Sequence, residues 1–170
     1  IPNSIKILLL GALLSDTVIL KSPTTTPKDE EVLRSLAKEL EINFEEMGME
    51  QFKAKAQVAT KSAIEILEND YKEFDFNGTK AGIGQLEMPD LSEVLDKIPA
   101  IIQEMENKGM NCILMLTDII QEGSKLVIVG QETTIANAFN VKLENNVSEF
   151  IPGMMSRKKQ VVPVLTSLWE

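Results

Sequence analysis

The chain has 170 residues, 44% of them hydrophobic and 25% charged, with a formal net charge of −9 and few aromatics. This composition supports a buried core and an ordinary globular fold, while its acidity argues against broad binding to nucleic acid or anionic membranes, which need extended basic surface. Histidine is absent altogether, which removes Ser-His and Cys-His catalysis and most zinc sites.

The apolar run over residues 4–14 predicts a helix buried on most sides, ending abruptly at Ser15, Asp16 and Thr17. It is too short to span a bilayer and lacks a secretory cleavage site. Asp16 at its end needs a compensating partner, and reads either as a capping or turn residue or as a metal ligand. Thr26, Pro27 and Asp29 give a helix start with hydroxyl cap, first-turn proline and early acid, followed by a stripe of Val32, Leu33, Leu36, Ala37 and Leu40. A helix interrupted near Gly48 is expected after Asn43, and another over 60–70. The weakest apolar periodicity places a domain junction between Lys53 and Lys61.

Strand-like alternation begins after Tyr71, where Phe74 and Phe76 lead to Asn77-Gly78, a dipeptide suited to a tight hairpin. A return strand through Ile83 and Leu86 should precede a long helix opening at Asp90 with capping-box spacing and kinked at Pro99. Residues 111–117 predict a buried strand, Gly123-Ser124 a turn, and 125–129 an antiparallel partner strand. The single Cys112 reads as a buried strand thiol with no disulfide partner, which favours a reducing, cytoplasmic setting. A short helix over 133–139, a short strand over 141–143 and a final amphipathic helix from Ser156 complete a mixed α/β (α+β) order, in which helices precede a mixed β-sheet domain flanked by helices.

The stretch Ser156-Arg157-Lys158-Lys159-Gln160-Val161-Val162-Pro163 sets three consecutive cations in an acidic chain. Arginine offers a planar fork for two phosphate oxygens, lysine adds a mobile point charge, and a helix start adds unpaired amides. A solvated basic turn is the plainer alternative.

This stretch, together with Ser15-Asp16-Thr17 and Lys21-Ser22-Pro23-Thr24-Thr25-Thr26, resembles the family II, manganese-dependent inorganic pyrophosphatases of the DHH superfamily. The resemblance implies that residues 1–59 are the helical end of a DHH metal-binding domain and residues 60–170 a DHH-associated substrate-binding domain. It implies Asp16 as a metal ligand, Arg157 and Lys158 as substrate-binding cations, and Lys72 as a third such cation, although a snorkelling strand-edge lysine would look the same. It implies Mn2+ as cofactor, with Mg2+ or Co2+ as substitutes, in an intact homodimeric enzyme acting on pyrophosphate. The chain opens on Ile1 and has no histidine, so it is expected to be a fragment that depends on an upstream DHH segment and is catalytically silent alone. Two other readings stand beside this one: a non-catalytic phosphate- or anion-binding module, and a related DHH-superfamily exopolyphosphatase. Neither nucleic acid nor membrane is an expected partner.

Overall fold

A helix that is apolar almost all round must find a partner surface for each face or leave one in water. In a computed structural model describing residues 1–170, the first helix, α1 (Asn3–Thr17), does the second. Leu10 and Leu14 are fully buried, but Ile5, Leu8 and Leu9 are exposed, Leu8 at 69%. The expected burial on most sides therefore holds for one face alone. The helix also continues through Ser15, Asp16 and Thr17, and ends where Val18, Ile19 and Leu20 all take left-handed φ angles of 49°, 55° and 64°. Such angles cost about 1–2 kcal/mol for each side-chain-bearing residue, and burial of Val18 and Ile19 offsets part of that.

The chain divides into two compact units, residues 1–56 and 57–170. In the first, α1 packs with α2 (Pro27–Leu40) and α3 (Phe44–Ala56). A reciprocal capping box between Thr26 and Asp29 starts α2, with Pro27 in its first turn. Helix α3 runs unbroken through Gly48, where an interruption was expected. A Cβ at Gly48 would lie 2.7 Å from Ile19 Cγ1, so this glycine serves close packing rather than helix termination.

The second unit is built on a seven-stranded sheet in which the strands over residues 71–76, 79–88, 111–118, 123–129, 147–148 and 143–144 lie side by side in that order, with 151–152 also pairing 123–129. Strand β1 (Tyr71–Phe76) follows the short helix α4 (Ala63–Leu67) and pairs antiparallel with β2 (Thr79–Met88). Asn77 and Gly78 both have positive φ, 53° and 91°, as the two-residue turn requires. Strand β2 pairs in parallel with β3 (Asn111–Asp118) through a crossover. That crossover is not one kinked helix. A 3-10 stretch, Leu91–Lys97, precedes α5 (Ile98–Asn107), and Pro99 occupies the first turn of α5, where its missing amide proton costs nothing. Asp90 caps the amide of Ser92 at 2.8 Å.

Gly123 is the first residue of β4 (Gly123–Val129) rather than part of a turn, and β4 pairs antiparallel with β3 as expected. After α6 (Glu132–Ala138) come the two-residue strands β5 (Leu143–Glu144), β6 (Val147–Ser148) and β7 (Ile151–Pro152). The last helix, α7 (Val162–Trp169), covers one sheet face, where Ile83, Ile113, Met115, Leu126 and Ile128 form a core with Val161 and Leu165. Cys112 is fully buried in β3, and burial pushes its thiol pKa up to about 11. No helix is long and apolar enough to cross a membrane.

Candidate functional site

The basic stretch lies between β7 and α7, and Pro163 shapes it. A proline two residues into α7 has no amide proton for the Lys159 carbonyl, so a regular α-turn cannot run through this point. The chain widens instead: Arg157–Val161 forms a π-helical turn closed by the Val162 amide bonding the Arg157 carbonyl. The expected single helix from Ser156 is thus a wide turn feeding a separate helix. Ser156 is its N-cap, as expected, accepting from the Lys159 amide at 3.3 Å.

Side chains hold much of the backbone just before this turn. Gln160 Oε1 accepts from the amides of Met155 and Ser156 at 2.8 and 2.9 Å, and its Nε2 donates to the Gly153 carbonyl at 2.8 Å. From the sheet, Ser124 Oγ donates to the Met154 carbonyl at 2.5 Å and Gln85 Nε2 to the Met155 carbonyl at 3.3 Å. Thr117 lies between them, 3.2 Å from Gln85 Nε2 and 2.9 Å from Ser124 Oγ. Gln85, Thr117 and Ser124 are all buried. A buried network with its donors matched to acceptors gives its segment one conformation, here the segment that launches Arg157.

Arg157 itself is buried, 8% exposed. Its Nη1 donates to the carbonyls of Asp70 and Ile83 at 2.7 and 3.0 Å, and its Nη2 to Asp70 Oδ1 at 2.8 Å. Guanidinium has five N–H donors in a rigid plane. Three are engaged here, leaving Nε–H and the second Nη2 proton, which together form the side-on fork suited to an oxyanion.

Lys72 occupies β1 directly opposite Ile83, the residue whose carbonyl Arg157 grips. Strand alternation sets Lys72 on the same sheet face as Phe74 and Phe76, the latter's ring centroid 5.5 Å from that of Trp169 of α7 and tilted 45° to it. Lys72 and the Arg157-Lys158 turn therefore share the open end of the β1–β2 hairpin. Lys72 and Lys158 are exposed, and neither ammonium is engaged in a hydrogen bond or ion pair. Lys159 is exposed as well but does have a partner.

Asp16 lies in the first unit, exposed on the last turn of α1. Nowhere do three or more Asp, Glu or Cys side chains converge into a set able to hold a metal ion. A divalent first-row ion takes four to six N or O ligands, so the residues of this chain do not by themselves amount to a metal site.

The sequence profile of the DHHA2 domain family matches residues 49–168. The chain belongs to the DHHA2 domain family. Its sequence is 49% identical over 164 residues to the manganese-dependent inorganic pyrophosphatase of Methanocaldococcus jannaschii, covering 93% of this chain and 53% of that protein. It is 42% identical over 171 residues to the manganese-dependent inorganic pyrophosphatase of Methanothrix thermoacetophila, covering 96% of this chain and 55% of that one. Its fold matches the crystal structure of a Methanococcus jannaschii protein assigned to the family II inorganic pyrophosphatases, with a TM-score of 0.84 and 44% identity over 99% of this chain and 57% of that one. The chain thus spans about half the length of the curated relatives it matches.

Within this DHHA2 domain, most of the residues that hold the basic stretch in place carry little signal in the sequence. Asp70 carried no signal beyond its place just before β1. Gln85, Thr117 and Ser124 looked like ordinary strand residues, although a glutamine and two hydroxyls amid apolar strands are a mark of a satisfied buried network.

Proposed function

We propose that this chain is the phosphate-binding part of a manganese-dependent inorganic pyrophosphatase, in which Arg157, Lys158 and Lys72 hold pyrophosphate. The observation that carries this reading is two exposed, unpartnered lysines beside an arginine anchored by one edge, all at one end of a hairpin in a chain with net charge −9. Free cations from two neighbouring segments suit a ligand with two linked phosphoryl groups. Pyrophosphate hydrolysis accumulates charge on the phosphoryl oxygens, and pre-placed cations stabilise that charge without reorganising. On this reading Arg157 orients one phosphoryl group through its free edge, while Lys158 and Lys72 neutralise charge on the pair.

Manganese, named in the relatives, would be held mainly by groups outside these residues, with Asp16 contributing one carboxylate. The partner supplying them is a DHH-domain segment upstream in the intact, homodimeric protein. The exposed face of α1 formed by Ile5, Leu8 and Leu9 supports such a segment, since a contiguous apolar stripe is costly to leave in water. In this division of labour residues 1–59 end the metal domain and residues 60–170 bind substrate, while the free, buried Cys112 thiol supports a reducing, cytoplasmic setting.

The test is calorimetric titration of the 170-residue chain with pyrophosphate, tripolyphosphate and sulfate, with phosphate release measured in parallel. Binding that favours pyrophosphate, falls with salt and gives no turnover is expected. Equal binding of all three anions would favour a general anion module, tighter binding of tripolyphosphate would favour a polyphosphatase, and turnover by this chain alone would refute the division of labour.

A further inference from the structure

The two halves of the cationic site come from opposite ends of the second unit's sequence: Lys72 from its first strand, Lys158 from the turn before its last helix. One contact joins them. Asp70 stands two residues before Lys72, Arg157 immediately before Lys158, and Asp70 holds Arg157 twice, by its carbonyl at 2.7 Å and its carboxylate at 2.8 Å. The same Asp70 carbonyl also accepts the Gln85 amide at 3.0 Å, so the clasp is built onto the β1–β2 ladder rather than onto a loose side chain.

We infer that Asp70 is a positioning residue of the phosphate site, fixing the Arg157 guanidinium by one edge so that Nε and Nη2 present the other to a phosphoryl group, and setting the spacing of Lys72 and Lys158. The inference rests on the pyrophosphate reading above. Its physical basis is the planarity of guanidinium: once Nη1 and Nη2 are pinned by three acceptors, the direction of Nε–H is fixed too. The Asp70 side chain is 40% exposed, so water screens its charge and the buried guanidinium keeps positive potential for an anion.

Only two arginines occur in the chain. Arg34, paired with Glu30 at 2.8 Å on the surface of α2, is therefore an internal control for Arg157 in 1H–15N spectra of the Nε–H groups. Titration with inorganic pyrophosphate should move the Arg157 Nε–H resonance and leave Arg34 in place. Asp70→Ala should weaken binding roughly tenfold, the scale of losing one charge-assisted contact. Asp70→Asn, which keeps an oxygen acceptor at the Oδ1 position, should recover binding to within about threefold, again because one good acceptor suffices for Nη2. A purely structural role for Asp70 would lower the melting temperature of both variants without moving pyrophosphate affinity in the folded fraction. If pyrophosphate shifts the amides of Lys72 and Lys158 while Arg157 Nε–H stays still, or if Asp70→Ala binds like the parent, the clasp is wrong and the pyrophosphate reading stands. If none of these groups responds, both fail.

Discussion

Replacing Arg157 with Met keeps much of the side-chain volume and removes the fork. Three charge-assisted hydrogen bonds disappear, to the carbonyls of Asp70 and Ile83 and to Asp70 Oδ1. Each such bond contributes about 1.5–3 kcal/mol net, but the losses are unequal. The Asp70 carbonyl retains the Gln85 amide, and the Asp70 carboxylate, 40% exposed, can rehydrate. The main cost is at the Ile83 carbonyl and in the lost ion pair, so the total should fall near the lower end of the roughly 3–5 kcal/mol seen when a buried pair is broken. We expect about 3 kcal/mol, with Arg157→Lys recovering about half, because one ammonium cannot span two carbonyls and a carboxylate in a plane. Trp169, the one tryptophan in the chain, packs tilted against Phe76 at the edge of the second unit's core and reports unfolding in urea. With a slope of about 1.5 kcal/mol per molar, the midpoint should drop by about 2 M. A loss under about 1 kcal/mol would refute the conclusion that Arg157 is a structural anchor as well as a ligand-binding group. It also follows that weakened pyrophosphate binding in an Arg157 variant cannot be read as lost contact alone.

Lys72→Ala and Lys158→Ala should leave stability within about 0.5 kcal/mol, since both side chains are exposed and unpartnered. Each should still weaken pyrophosphate binding about three- to tenfold at low salt, with a smaller effect at high ionic strength; calorimetry at two salt concentrations checks both. Ser124→Ala leaves the buried Met154 carbonyl without its donor and should cost about 1–3 kcal/mol by urea unfolding, with faster amide exchange at Met155 and Ser156. The Cys112 thiol, raised by burial from its ordinary value near 9 to about 11, binds its proton more tightly folded than unfolded. Its contribution is therefore complete below about pH 9 and lost as pH rises towards 11, up to about 3 kcal/mol at 1.36 kcal/mol per pH unit. Tyr71, also shifted upward by burial, adds in the same direction, so Cys112→Val should flatten the alkaline decline only in part.

How much of this could be seen in the chain beforehand depended on the range of the physics. The hairpin at Asn77-Gly78, the capped start of α2 and the antiparallel β3–β4 pair were legible because each depends on residues a few positions apart. The breaks at Gly48 and Gly123 were misread because a glycine serves turns and close packing alike, and only the neighbour decides which; at Gly48 it is Ile19, distant in sequence. Pro99 reads as a kink in a long helix and Pro163 lies inside the helix expected from Ser156, whereas each opens a new helix behind a 3-10 or π turn. Local sequence marks a proline as a discontinuity but leaves open which side of it the regular helix lies.

The candidate site divides the same way. The charge pattern flagged Arg157, Lys158 and Lys159 together, because three adjacent cations in an acidic chain are anomalous wherever they fall; the family resemblance chose Arg157, Lys158 and Lys72, and alternation put Lys72 on a strand. Only the tertiary structure decided that Arg157 turns inward onto Asp70 and Ile83 while Lys158 stays in water. The reason is geometric: a guanidinium can meet three acceptors at once only where separate segments bring their carbonyls and carboxylate into one plane. Asp70 and Arg157 are 87 residues apart, and no pattern in a single chain encodes a contact at that distance until the sheet is assembled.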